Sequence, residues 1–391
     1  YLTMIPYGKQ DINQADIDSV VNVLKSDFLT QGSQVPLFEN TVAKYCGAKY
    51  GVAVNSATSA LHIACLALGL GKGDYLWTSP NTFVASANCG LYCGAKIDFV
   101  DIDPHTWNIS ISAFKAKLEW AEARGVLPKI VVFVHLAGLS CDMRAIKKLA
   151  YKYKFKVIED ACHALGGEYE NRKIGSCIYS DATVFSFHAI KSITTGEGGA
   201  VVTNSEEVYR KMKLLSSHGI TRNPNQMTHQ SEDPWYYEQI DLGYNYRMTD
   251  FQAALGMSQL ERLDSFILKR NKISHRYDQN FDNISLNINI QSQGQNCLSA
   301  RHLYVVRLDS KQSNKNIRNK FFKEMRGLKI GVNLNYIPIH LHPFYRKFGF
   351  KKGDFPESEL YYKEAVSLPV YQDLSEKNTT LVIDSVKKIL L

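Results

Sequence analysis

FSFHAIKSITTGEGG, Phe185 to Gly199, decides how this chain is read. Its first residues alternate aromatic and small side chains as a strand does, and its Gly-rich end turns into GGAVVTN, a second strand. Between them stands one ammonium group, Lys191. A lysine flanked by two buried strands either reaches solvent or is held by chemistry, because an unpaired buried charge is costly.

Outward from this stretch the chain keeps one rhythm. From about residue 50 to 260, short apolar runs such as YGVAVNS, DYLWTSP, KIDFVDID, KIVVFVHLAG and FKVIED alternate with helix-like segments. That alternation predicts an α/β fold, a mostly parallel sheet with helices on both faces, whose ligands bind at the carboxyl ends of the strands. Beyond it, MSQLERLDSFILKRNKISHRYDQNF reads as long amphipathic helix. HLYVVRLD, GVNLNYIPIH and TLVIDSVKKILL then predict a smaller α+β unit. The expected division is 1–260, a large cofactor-binding domain that includes an N-terminal pocket segment, and 261–391, a small C-terminal domain. TRNPNQMTHQSEDPWYYEQI reads as an exposed insertion and QSQGQNCLSARH as loop.

Three further stretches bear on Lys191. In VIEDACHALGG, Asp160 falls at the end of a strand. An acid there serves either as a turn residue or as the carboxylate that keeps a heteroaromatic nitrogen protonated, which a pyridoxal phosphate (PLP) site requires. His163, three residues on, is either structural or able to reach the same ligand. NSATSALH, Asn55 to His62, joins a strand to a helix. Its hydroxyls and first-turn amides are either ordinary capping or a phosphate site, with Ser186 as a second phosphate ligand. Phe83, in NTFVASAN, is either core or a ring that stacks on a flat ligand. A lysine near an acid, a phosphate cradle and a stacking ring is what a Schiff base to PLP needs, with the neutral amine as nucleophile and proton carrier.

The ordered set NSATSAL, TFVASAN, EDACHALG, FSFHAIKSITTGEGGA and GYNYRMTDFQAALGMSQL resembles the DegT/DnrJ/EryC1/StrS sugar aminotransferases. These are PLP-dependent transferases of fold type I, with a seven-stranded, mainly parallel sheet. The resemblance runs from IPYGKQDINQADIDSVV to NLNYIPIHLHPFY, nearly the whole chain. It implies that Lys191 forms the Schiff base, Asp160 pairs with the pyridine nitrogen and His163 lies near the ring oxygen. Ala57, Thr58, Ser59 and Ser186 hold the phosphate, and Phe83 covers the ring. Asn245 reaches the phosphate of a second subunit, so a homodimer with shared sites is implied. Tyr7, the run Asp27, Phe28, Leu29 and Thr30, and the run Asn333, Leu334, Asn335 and Tyr336 line a nucleotide-sugar pocket. Many family members have His where this chain has Asn335.

Within the family, SDFLTQG, the lysine motif and the last pocket segment most resemble the aminotransferases of pseudaminic acid biosynthesis. The activity implied is transfer of the amino group of L-glutamate to C4 of UDP-2-acetamido-2,6-dideoxy-β-L-arabino-hexos-4-ulose. Glutamate leaves as 2-oxoglutarate, and the sugar ketone takes the amine. The alternatives are amination at C4 or C3 of another UDP- or dTDP-keto-6-deoxy sugar, and a non-catalytic regulator on the same fold. Lys191 argues against the related dehydrases, which carry His in its place.

Composition narrows the classes. At 391 residues and 45% hydrophobic the chain can bury a large core. No apolar run approaches the roughly 20 residues of a membrane span. YLTMIPYGKQDINQADID has no signal-peptide pattern, so a cytoplasmic bacterial enzyme is expected. The net charge of +8 comes from dispersed lysines and arginines, a solvated basic surface suited to polyanionic small molecules and not to nucleic acid. Eight cysteines lack any CxxC pair and read as reduced thiols, with no metal site expected. No GxGxxG follows a strand, which excludes a dinucleotide fingerprint.

Overall fold

The computed structural model describes residues 4–229, 233–281, 287–294, 296–309 and 317–391. Two helices lead in. Helix α1 (Gln14–Leu24) opens with a capping box between Asn13 and Asp16, and α2 (Gln34–Cys46) ends at Gly47 in the left-handed conformation. Strands and helices then alternate: β1 (Tyr50–Val54), α3 (Ala57–Ala67), β2 (Tyr75–Thr78), α4 (Ala85–Tyr92), β3 (Lys96–Phe99), α5 (Ile111–Glu122), β4 (Ile130–Val134), α6 (Met143–Tyr153) and β5 (Lys156–Asp160). A short pair, β6 (Glu168–Tyr169) and β7 (Arg172–Lys173), precedes β8 (Ala182–Ser186), β9 (Gly199–Thr203) and α7 (Glu206–Ser216). Another short pair, β10 (Ile220–Thr221) and β11 (Glu238–Gln239), brackets the Pro- and Asn-rich insertion, whose residues 230–232 lie outside the described ones. Next come α8 (Asp250–Glu261), α9 (Leu263–Phe281), β12 (Ile288–Ile290), β13 (Cys297–Leu298) and β14 (Tyr304–Leu308). The chain closes with α10 (Ile317–Gly327), α11 (Pro343–Arg346), α12 (Pro356–Glu364), β15 (Ala365–Leu368) and α13 (Glu376–Leu390).

Seven strands form the main sheet in the order β1-β9-β8-β5-β4-β2-β3. β3, β2, β4, β5 and β8 pair in parallel, and β9 runs antiparallel to both β8 and β1. Burial on both faces explains the near-continuous apolar strands. In β4, Ile130 and Val132 join the core under α3, α4 and α7, while Val131 and Phe133 join the core under α5 and α6. Ala53, Phe185, Ala200 and Val202 pack instead with Phe38, Ala253 and Phe266 of α2, α8 and α9. A separate three-stranded sheet, β12-β14-β15, has its own core with Tyr277, Phe321 and Val382, and Ile5 from near the start of the chain joins it through a bridge to Ile330.

Three expectations are refined. The long amphipathic run is two helices, broken at Arg262, whose guanidinium is drawn to Asp11 and Asp16. The strand expected through the lysine motif stops at Ser186, and Lys191 stands in the turn that follows. QSQGQNCLSARH holds a short strand, β13, paired with β6. All eight cysteines are free thiols. Among the described residues no helix is long and apolar enough to cross a membrane.

Candidate active site

Parallel strands end at one edge of the sheet, and a cleft of about 410 Å³ opens there. Tyr7, Ala57, Thr58, Phe83, Asp160, His163, Ser186, Lys191, Asn335 and Tyr336, all singled out in the sequence, line it. Residues separated by more than 300 positions therefore meet around one amine.

Asp160 is the last residue of β5 and is buried. Its Oδ2 accepts from Ser86 Oγ at 2.7 Å and its Oδ1 from the Cys162 amide at 3.2 Å. Strand alternation sends its neighbour, Glu159, to the other face. There Glu159 accepts from His135 Nε2 at 2.8 Å and from Thr183 at 3.0 Å, and from Ser180. The Cys141 amide donates to His135 Nδ1, so the ring proton sits on Nε2 and points at the carboxylate. This closed network behind the sheet fixes the strand end that aims Asp160 at the cleft.

Lys191 follows β8 by five residues. Burial lowers the pKa of its amine below the usual lysine value, partly opposed by Cys162 and Asp160. A lowered value means a larger neutral fraction, the form that attacks a carbonyl. Among the described residues no carboxylate lies within ion-pair distance of its Nζ. His163 is buried, and that burial, with the Lys191 charge, pushes its pKa well below the ordinary histidine value. The Ala137 amide donates to His163 Nδ1 at 3.3 Å, leaving Nε2–H to donate to the Tyr336 hydroxyl at 3.0 Å. Phe83 is 57% exposed, with its ring 6.1 Å from that of Tyr336.

Helix α3 begins at the cleft. Ser56 caps it through the Ser59 amide, and among the described residues the Ala57 and Thr58 amides have no acceptor. Two free first-turn amides with the positive helix end form an anion site. Gly199 backs it: a Cβ there would stand 2.6 Å from the Ala57 nitrogen, so only glycine lets β9 approach this closely. The donor set fits PLP. Free amides and Ser186 suit its phosphate, Asp160 its ring nitrogen, Phe83 its face and Lys191 its aldehyde.

Some expected residues lie elsewhere. Ser59 is absent from the cleft lining: its hydroxyl is held by Asn55 at 2.7 Å and Ser56 at 3.0 Å, because N3 of a helix faces its own cap. Ser56 lines the cleft in its place. Asp27, Phe28, Leu29 and Thr30 are exposed outside it, the backbone there tied by the Asp250 amide to Leu29 O and by Asp250 Oδ2 to the Gly32 amide. Asn245 is exposed on the same side of α8, where the Asn55 amide reaches its carbonyl. Asn333 pairs with Ser367, and Leu334 packs with Trp107 and Tyr361. Asn335 turns its oxygen inward to Ser367 at 2.9 Å. Sequence reasoning missed Ser86, which lies within a quoted motif, and His302, a lone histidine ahead of β14 with no pattern to mark it.

A fold-type-I sheet with a lysine, an acid and an anion cradle at its strand ends defines a PLP-dependent transferase. The family model for DegT/DnrJ/EryC1/StrS aminotransferases matches residues 10–387, and the chain belongs to that PLP-dependent family. It is 41% identical to SpsC, a spore coat polysaccharide biosynthesis protein of Bacillus subtilis, over 99% of this chain and 97% of that one. It is 38% identical to the UDP-4-amino-4,6-dideoxy-N-acetyl-beta-L-altrosamine transaminase of Campylobacter jejuni, over 99% and 98%. Helicobacter pylori PseC, an aminotransferase involved in the biosynthesis of pseudoaminic acid, superposes with a TM-score of 0.89 at 31% identity, covering 99% of each chain. The chain is thus a sugar aminotransferase.

Proposed function

We propose that this enzyme moves the amino group of L-glutamate to C4 of UDP-2-acetamido-2,6-dideoxy-β-L-arabino-hexos-4-ulose, giving UDP-4-amino-4,6-dideoxy-N-acetyl-β-L-altrosamine. The observation that carries the chemistry is Lys191, an amine made more nucleophilic by burial, in one cleft with Asp160 and the open amides of α3. The product named for the Campylobacter relative, and the likeness to PseC over the full chain, support the substrate.

The bound cofactor supplies an electron sink for charge left when a proton leaves the substrate carbon. Lys191 Nζ takes the Cα proton of glutamate in the first half-reaction and delivers a proton to C4 of the sugar in the second. Asp160 holds the proton on the cofactor's ring nitrogen. His163 donates from Nε2, its other nitrogen being occupied by the Ala137 amide. Ala57, Thr58 and Ser186 receive the phosphate. Tyr7, Asn335 and Tyr336 face the sugar. Asp27 to Thr30 and Asn245, exposed in one chain, complete the site of a second copy in a homodimer.

A coupled assay of the yellow holoenzyme with L-glutamate and three sugars tests this. The L-arabino UDP sugar is expected to exceed its D-xylo precursor and dTDP-4-keto-6-deoxyglucose in kcat/KM. Discrimination should be large, since a misplacement of about 1 Å at the reacting carbon costs on the order of 100-fold. A best kcat/KM for the dTDP sugar overturns the substrate while leaving the reaction class.

A further inference from the structure

His302 lines the lysine cleft yet has no role so far. It is 4% exposed, and its ring packs on that of His163 with centroids 4.5 Å apart. The backbone beneath it is pinned: the fully buried Arg270 donates to the carbonyls of His302 at 3.4 Å and Val370 at 3.0 Å, and to Gln372 at 3.0 Å. Among the described residues neither ring nitrogen has a hydrogen-bond partner. Nδ1 is sealed away, and Nε2 is the nitrogen left on the cleft side. An orphaned buried N–H is rarer than an orphaned acceptor, so the proton belongs on Nε2, facing the cleft.

An amino-acid donor brings an α-carboxylate bonded to the very carbon whose proton Lys191 takes. That carboxylate must sit deep, beside Lys191 and His163. The lining of the cleft contains no arginine, and its lysine is the reacting group. A neutral donor at that depth is what remains to receive it. The sugar nucleotide, in contrast, carries its negative charge on a diphosphate remote from the reacting carbon.

Resting on the aminotransferase reading of this cleft, we propose that His302 binds the α-carboxylate of the amino donor through Nε2–H. His302 is then a donor-specific binding residue. The first half-reaction depends on it, and the sugar half-reaction depends on it far less.

The test uses holoenzyme of wild type, His302→Leu and His302→Gln, the glutamine placing an N–H near the position of Nε2. Absorbance changes with L-glutamate alone give the donor's apparent Kd. Calorimetry with glutarate, a dicarboxylate that cannot react, gives binding free of chemistry. His302→Leu is expected to weaken both about 10- to 100-fold, the range for losing a hydrogen bond to a charged group. Its second half-reaction, measured from the aminated cofactor form with the keto sugar, is expected to hold within a few-fold. His302→Gln is expected to recover most of the loss. Wild-type affinities in His302→Leu overturn the proposal alone. So do equal losses in both half-reactions, which mark a purely structural role. A wild-type enzyme whose absorbance ignores L-glutamate overturns the donor assignment, and this proposal with it.

Discussion

At the floor of the cleft, buried side chains are held by neighbours in the same chain: Asp160 by Ser86 and the Cys162 amide, His163 by Ala137 and Tyr336. At the rim the fixed parts are backbone and the presented parts are bare. The Asp250 amide holds Leu29 O, yet Phe28 is 62% and Leu29 46% exposed, and Leu242 is 73% exposed. A floor organised by buried hydrogen bonds is ready before any ligand arrives. A rim of apolar side chains on a firm backbone is the form of a surface that meets another surface. The contrast supports a chemistry complete in one chain and a specificity shared with a second.

Lys191→Ala strikes the floor hardest. Turnover is expected to fall by about 1,000-fold or more, as for removal of a nucleophile that also moves the proton. The cleft should still take PLP through the α3 amides and Asp160. Steady-state transamination near the wild-type rate breaks the contrast, because the floor would then not be where the chemistry lies.

Gly199→Ala tests the cradle without touching a reacting group. The added Cβ meets backbone of Ser56 and Ala57, which cannot swing aside. Cofactor affinity is expected to drop on the order of 100-fold, about one or two charge-assisted hydrogen bonds to phosphate, in an equilibrium titration of PLP. An unchanged Kd means that the first turn of α3 is not the anion site.

Phe28→Ser tests the rim, with the smallest expected effect. KM for the sugar nucleotide is expected to rise on the order of 10-fold through lost apolar contact, with the glutamate half-reaction unchanged. A fall in the glutamate half-reaction instead would place Phe28 in support of the floor.

Much of the floor is legible in the sequence because its signals are local. Strand endings at Asp160 and Ser186, the Ser- and Thr-rich entry to α3 and the Gly-rich turn after Lys191 each fall within a few residues. What stays hidden depends on distance. Whether Ser56 or Ser59 faces the ligand turns on where α3 begins, and a shift of three residues swaps cap and cleft. His302 becomes a cleft residue only through packing on His163, 139 positions earlier, with Arg270 pinning its backbone. The antiparallel direction of β9 is likewise set by its neighbours and not by GGAVVTN itself. The rim segment is legible as a motif, but a single chain leaves it outside the cleft.

That reversed strand also sets a timetable. β1 finds its only neighbour in the main sheet in β9, about 150 residues further along. At roughly 5–20 residues per second, the ribosome needs roughly 8 to 30 seconds to make the intervening chain. Throughout that interval β1 has an open edge, a template for wrong pairing that a holding chaperone can cover. A nascent chain that already displays Asp160 still lacks both the amine and the glycine behind the anion site. Cofactor capture therefore comes late in biogenesis, and supply of PLP bears on the finished chain more than on its early folding.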